Sequence, residues 1–322
     1  KLNALRRSRG SIELEIPETK FELDACGNVT DIGPYPRTVS HKIIEEFMLL
    51  ANETIARTFC YADIPFIYRV HGKPDGEKAE RFFAFAKGLG LKVNRQNFDS
   101  KTYVDLLKQT ENTDVEPMLN RIMLRSMQKA EYKPENLGHF GLAAEFYCHF
   151  TSPIRRYPDL AIHRIIKSYL KGELNEKLES FTEFTQNASA QSSKMERAAD
   201  LAEREADDMK KAEYMSGEIG NTYEGIISGV TAFGIFVELK NTAEGLIKID
   251  DLPGGYYDFI PEKYILRNGD NSYSLGDRVK ITVAGTDIKN GKINFVLAGD
   301  EQNTTEKEIK KHKTSKSKRK KY

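Results

Sequence analysis

At Gly217–Gly220 the chain changes its hydrophobic period, and the change divides it into two kinds of folded segment. Before it, Thr182 to Met215 reads as one long helix containing MERAADLAEREADDMKKAEYM, whose alternating charges suit a solvated face. After it come five short β-rich stretches: TYEGIISGV (222–230), AFGIFVEL (232–239), EGLIKI (244–249), DRVKITVAGTDI (277–288) and KINFVL (292–297). Turn residues separate them, and Asn290-Gly291 between the last two is a hairpin signal. Five such strands in fewer than 90 residues fit a small closed barrel of the OB type, with a long loop across Tyr256, Tyr257 and Phe259.

The upstream part mixes helices with a little strand. Residues 11–24 alternate apolar and polar positions on either side of Pro17, as a strand pair or a strand with an extended loop would. Residues 40–58 have helical spacing, predicting Ile43, Ile44, Phe47, Met48, Leu50 and Ala51 on the buried side, with Glu45 and Glu46 just beside that stripe. Further helices are predicted over 75–88, 116–130 and 158–171, the last opened by Pro158 with Asp159 in its first turn. The fold class is therefore α+β.

Net charge is only +1, but it is unevenly spread. Residues 301–322 hold nine Lys/Arg against three Asp/Glu, a balance of +6 that leaves residues 1–300 at −5. That Lys-rich stretch lacks the apolar surface to fold alone and predicts a disordered, phosphate-attracting tail. Three scattered cysteines (Cys26, Cys60, Cys148) suit neither a disulfide framework nor a clustered metal site, and point to a reducing cytoplasm. No apolar run approaches the roughly 20 residues that cross a bilayer. The chain opens on Lys1 in the middle of a pattern, as a fragment would.

The chemistry-bearing segment is HFTSPIRRYPDLAIHRIIKSYL, residues 149–170. Thr151 and Ser152 offer hydroxyls, and Pro153 and Pro158 stiffen the connection. Arg155 and Arg156, adjacent on an extended backbone, would project in opposite directions. A helix N-terminus follows at once, where free N–H groups favour an anion and a guanidinium fork can hold a phosphodiester. Tyr157 has two readings, a ring stacked on a base or packing under the loop. His139, His149 and His163 read as hydrogen-bonded core residues. Ser152 lacks the His/Asp partners of a nucleophile.

This segment resembles the signature of the RNB exoribonuclease family. RGSIELEIPETKFELD, HKIIEEFMLLANETIA, FIYRVHGKPD, NLGHFGLAAEFYCHFTSPIRRYPDLAIHR and AEREADD follow in the order of the second half of that family's catalytic domain. The resemblance implies a 3′→5′ exoribonuclease that releases nucleoside 5′-monophosphates by metal-assisted hydrolysis. Carried over by position, Arg155 matches the arginine that grips the phosphate beside the scissile bond. Glu45 matches a residue near the 3′-terminal sugar, and Glu203 a modulatory position lining the site. Ser152, Arg156 and Tyr157 join them as substrate-binding candidates. The family's Mg²⁺-binding aspartates have no counterpart here, so no metal ligand is expected in this chain and the fragment alone is expected to be inactive.

Residues 218–299 resemble an S1-type RNA-binding module. Phe233 and Phe236 stand where such modules present aromatics to bases, and Lys248 replaces a frequent histidine. Strand alternation puts Phe233 with Ile235 on one face and Phe236 on the other, which makes Phe236 the candidate for the core. Tyr256 and Tyr257, near Lys263 and Arg267, would extend the RNA path. The chain is thus read as an RNB catalytic part (1–217), an S1-type barrel (218–300) and a basic tail (301–322). It is expected to be monomeric and to act on single-stranded RNA 3′ ends, away from membranes. The alternative is a non-catalytic RNA-binding protein that keeps both scaffolds.

Overall fold

The computed structural model describes residues 1–14, 18–94, 99–113, 115–269 and 271–299. Its elements begin with α1 (Leu2–Arg9), the strands β1 (Thr19–Leu23) and β2 (Val29–Pro34), α2 (Val39–Tyr61) and β3 (Tyr68–Val70). Next come α3 (Gly76–Gly88), α4 (Ser100–Thr110), α5 (Glu116–Ser126), β4 (Glu131–Lys133), α6 (Tyr157–Leu170) and α7 (Leu174–Ser216). The strands β5 (Thr222–Thr231), β6 (Gly234–Leu239), β7 (Glu244–Lys248), β8 (Asp258–Ile260), β9 (Ile265–Asn268), β10 (Asn271–Ser274), β11 (Arg278–Asp287) and β12 (Lys292–Leu297) follow. Contacts divide them into two compact units. One holds α1, α2 to α6 with β3 and β4, and α7 as far as Glu203; the other holds β1, β2 and the described residues from Arg204.

The core of the first unit gathers around β3. Phe66, Ile67, Tyr68 and Val70 pack with Ala161, Ile162 and Ile165 of α6, Ala56 and Phe59 of α2 and Ala188 of α7. The i, i+1, i+4 spacing on α6 gives that helix a single apolar stripe, and burying it is what fixes the end that carries Arg155 and Arg156. Truncating the fully buried Ile162 to Ala would cost about 2–5 kcal/mol.

The burial predicted along α2 is not what forms. Ile43, Ile44, Phe47 and Leu50 are 51, 68, 61 and 45% exposed, and Met48 and Ala51 are half-buried. The buried positions are Leu49, Asn52, Ala56 and Phe59, one stripe displaced around the helix from the predicted one. Periodicity shows which face is apolar, not what covers it, and the first half of α2 runs beyond the core cluster. The helix predicted over 116–130 also stops early, at Ser126. Met127 turns extended and the Gln128 carbonyl lies 2.8 Å from Nε2 of His71, a tertiary bond that competes with helix continuation. Helix α7 is longer than predicted, beginning at Leu174, and α4 lay unnoticed in the sequence.

In the second unit the five predicted strands close into a barrel in the order β11-β12-β7-β6-β5. Ile227, Ile235, Val237, Ile247, Ile281, Val283 and Phe295 fill it, each at most 1% exposed. Gly234 starts β6 at φ 152°, and a Cβ there would stand 2.2 Å from the Ile247 carbonyl oxygen, so only glycine fits. The predicted long loop instead folds as a three-stranded sheet, β10-β9-β8. Its strands are three or four residues long, with Leu266 as the fully buried anchor, too short to show a period.

The strand pair expected around Pro17 is displaced too. Residues 11–14 form no strand, β1 pairs with the downstream β2, and residues 15–17 lie outside the described residues. This hairpin belongs with the barrel unit: Thr19 Oγ1 lies 2.7 Å from Thr242 Oγ1, and the Val29 N–H donates to Glu213 at 3.0 Å. The predicted tail, 301–322, lies outside the described residues.

Candidate nucleic-acid interface

In the first unit, Asn52 of α2 is fully buried and anchors the segment that precedes the arginines. Its Oδ1 accepts the Phe150 N–H at 3.1 Å, its Nδ2 donates to the Tyr147 hydroxyl at 3.2 Å, and its carbonyl meets the Cys148 thiol at 3.4 Å. From the other side, Nδ1 of His149 lies 2.9 Å from the Tyr132 hydroxyl. Tyr132 in turn donates to Glu196 at 3.2 Å, and Glu196 takes Arg69 at 2.5 Å. The Arg69 guanidinium also sits 4.6 Å over the Tyr132 ring. Burial, then the nearby Arg156 and Arg69 charges, push the His149 pKa down to about 2. Burial and His71 push His139 to about 3, so both rings are neutral at physiological pH. His163 stacks on Phe150 and bonds its carbonyl at 2.9 Å. All three rings are hydrogen-bonded, as expected, but half-buried rather than within the core.

Beyond His149 the chain turns. The Ser152 carbonyl accepts the Arg155 and Arg156 N–H groups at 3.3 and 3.0 Å. The backbone is therefore a tight turn leading into α6, not the extended run assumed from the sequence, and the two arginines part for a different reason. Arg156 ion-pairs at 2.7 Å with Asp159, whose side chain is fully buried. Arg155 stands exposed, and its guanidinium has no ion pair or hydrogen bond among the described residues. Ile154 beside it is wholly exposed, and Tyr157 is 48% exposed, opening α6 rather than packing under the loop.

Hydrogen bonds join Ser152, Arg155 and Arg156 into one structure with Asp159. None ties Glu45 or Glu203 to it among the described residues. Glu45 ion-pairs with Arg37, and Glu203 is exposed on α7. Sequence reasoning passed over Asn52, Tyr132 and the pairing role of Asp159. The i, i+3 spacing of Arg156 and Asp159 was a usable signal, as was an asparagine in an apolar helix stripe; Tyr132 gave none locally.

In the second unit, Phe233 lies in the turn before β6 and is 57% exposed. Alternation therefore begins only at Gly234: Ile235 points into the barrel, and Phe236 points out, half-buried over Gly229. The two rings meet edge to face with centroids 6.0 Å apart, so Phe236 is not the core residue that alternation suggested. Leu246 pairs with Phe236, and exposed Lys248 with Gly234, on the same outer surface. Tyr256 is 84% exposed, whereas Tyr257 is 4% exposed and donates its hydroxyl to the Pro253 carbonyl, which closes its ring to stacking. Lys263 and Arg267 flank a cavity of about 240 Å³ on the three-stranded sheet, with Ile260 and Ile265.

Among the described residues no group of three or more His, Cys, Asp or Glu could hold a metal ion, and no helix is long and apolar enough to cross a membrane.

The described residues thus form an α+β unit carrying an outward arginine and a five-stranded barrel carrying outward rings. Residues 1–172 match the RNB domain and residues 217–297 the S1 RNA binding domain, and the chain belongs to the RNB exoribonuclease family. It is 43% identical over 301 residues to Ribonuclease R of Aquifex aeolicus, covering 92% of this chain and 42% of that protein. It is 39% identical over 318 residues to Ribonuclease R 1 of Lactococcus lactis, covering 97% of this chain and 39% of that one. The structure of Mycoplasma genitalium RNase R in complex with ribose methylated single-stranded RNA matches with a TM-score of 0.86 at 29% identity, over 92% of this chain and 47% of that one. The chain thus spans less than half the length of these relatives.

Proposed function

We propose that these residues form the C-terminal portion of a monomeric, cytoplasmic 3′→5′ exoribonuclease of the RNase R type, acting on single-stranded 3′ ends and releasing nucleoside 5′-monophosphates. The observation that carries this reading is the division between two adjacent arginines: Arg156 is consumed by Asp159, while the guanidinium of Arg155, at a fixed turn, has no ion pair or hydrogen bond among the described residues. A guanidinium so placed binds a phosphodiester bidentately and stabilises charge that develops on it. Glu45 is assigned to the 3′-terminal sugar, and Glu203 to a modulatory position. Tyr157 is assigned to the nucleotide next to the clamp. On the barrel, Phe233, Phe236, Lys248 and Tyr256 are assigned to RNA, the rings by stacking that needs no particular base.

Hydrolysis by this route needs a metal, taken to be Mg²⁺, to activate water. The described residues offer no carboxylate set that fits it, and its ligands are assigned to the rest of the catalytic domain. Labelled oligo(A) with Mg²⁺ tests the reading. The 322-residue chain should leave it intact, and a longer protein that includes the rest of the catalytic domain should shorten it from the 3′ end. Shortening by the chain alone would overturn the assignment of the metal ligands. Tight RNA binding without hydrolysis by the longer protein would favour a non-catalytic RNA-binding protein instead.

A further inference from the structure

We propose that Asp159 is the positioning residue that gives the two arginines different tasks, withdrawing Arg156 from the substrate so that Arg155 alone meets the phosphate. The proposal rests on the reading that Arg155 is a phosphate clamp.

Asp159 sits in the first turn of α6 and is wholly buried. Its Oδ1 accepts two bonds, from the Ser152 N–H at 2.8 Å and from Arg156 Nη2 at 2.7 Å. Ser152 is held from both sides, since its carbonyl takes the N–H groups of Arg155 and Arg156. One carboxylate oxygen therefore closes Ser152 to Arg156 into a hydrogen-bonded ring, from which Arg155 projects. The position suits an anion in its own right, because a carboxylate in the first turn meets the positive end of the helix dipole. Arg156 has a side chain only 17% exposed and cannot swing out to a phosphate without leaving a buried carboxylate unpaired, a costly state. Binding then needs little reordering of Arg155, which is where preorganisation adds affinity.

Removing the carboxylate undoes both effects. The turn loses the acceptor that fixes Ser152, and Arg156 is released beside Arg155. A site that held one guanidinium in place then holds two that compete for the same anion with neither oriented.

The test compares diadenylate with its uncharged methylphosphonate analogue by NMR titration of the full 322-residue chain. A Phe233→Ala/Phe236→Ala background removes the barrel rings, and about 0.3 M salt screens loose attraction to distant lysines. The preference for the phosphodiester should vanish in Arg155→Ala and fall about tenfold, to the same level, in Asp159→Ala, although Arg155 remains. Adding Arg155→Ala to Asp159→Ala should change nothing further. Loss of general stability would lower the melting temperature without altering this ratio. Should Asp159→Ala not fold, Arg156→Gln/Asp159→Ala removes the buried charges together while the Ser152 N–H still lacks its acceptor, and it should fold and still lose the preference. A wild-type preference in either Asp159 variant, or losses that multiply with Arg155→Ala, would overturn the role of Asp159 alone. A preference that survives Arg155→Ala would overturn the phosphate-clamp reading itself.

Discussion

The Tyr132 hydroxyl stands between Nδ1 of His149, at 2.9 Å, and Oε1 of Glu196, at 3.2 Å. With Tyr132 donating to Glu196, its oxygen accepts from a neutral His149 protonated on Nδ1. Burial first, and nearby cationic groups after it, hold His149 near a pKa of about 2, and burial with His71 holds His139 near about 3. An unfolded histidine titrates at about 6.5. Below that value the unfolded chain takes up protons that the folded rings refuse, so stability falls as pH falls and is fully present above it. Each ring should contribute a loss on the order of 2 kcal/mol between pH 6.5 and 5. Urea midpoints across pH 5–7.5 measure this, and His149→Gln should flatten the dependence. A midpoint unchanged over that range would contradict it.

Arg155→Ala in the longer protein with the rest of the catalytic domain should lower turnover far more than initial RNA affinity, by about 2.7–4 kcal/mol if the guanidinium acts as a transition-state charge stabiliser. Single-turnover kinetics at saturating RNA separates the two effects. Arg155→Lys should recover little, because an ammonium cannot reproduce the planar fork. Equal turnover in mutant and wild type would remove Arg155 from the chemistry.

Asn52→Ala should destabilise the first unit by about 2–3 kcal/mol, because it leaves the Phe150 N–H and the Tyr147 hydroxyl without an acceptor and a donor in a buried place. Thermal melting checks this, and RNA bound to the barrel should be unaffected at temperatures where the variant is folded.

What the sequence made legible was set by period. The barrel strands alternate cleanly around Ile235, Val237 and Ile247, and all five were found. The strands β8 to β10 bury little beyond Leu266 and lacked that signal. Arg155 was legible because its family context is specific. Its separation from Arg156 was not, because it depends on a turn closed by the Ser152 carbonyl and on the Asp159 carboxylate that takes Arg156. The α2 stripe misled for a related reason: Ile44 and Phe47 share an apolar face, but spacing carries no information about what opposes it. Phe236 was misplaced because alternation was counted through Phe233, which lies in a turn.

The two adjacent tyrosines of the barrel unit should behave oppositely. Tyr256 is 84% exposed, and Tyr257 is 4% exposed with its hydroxyl spent on the Pro253 carbonyl and its ring 5.8 Å from that of Tyr273. Tyr256→Ala should therefore weaken single-stranded RNA binding without changing the melting temperature. Tyr257→Phe should lower stability by about 1 kcal/mol, one hydrogen bond, and leave RNA affinity alone. Phe233→Ala should cost about 1–3 kcal/mol of affinity if its ring carries a stacked base, and Phe236→Ala a comparable amount, because each ring supports the other edge to face. Fluorescence anisotropy with oligo(A) and oligo(U) measures all four variants. Equal losses on both oligomers are expected of stacking, whereas a loss confined to one would indicate hydrogen-bonded base readout and overturn the stacking assignment.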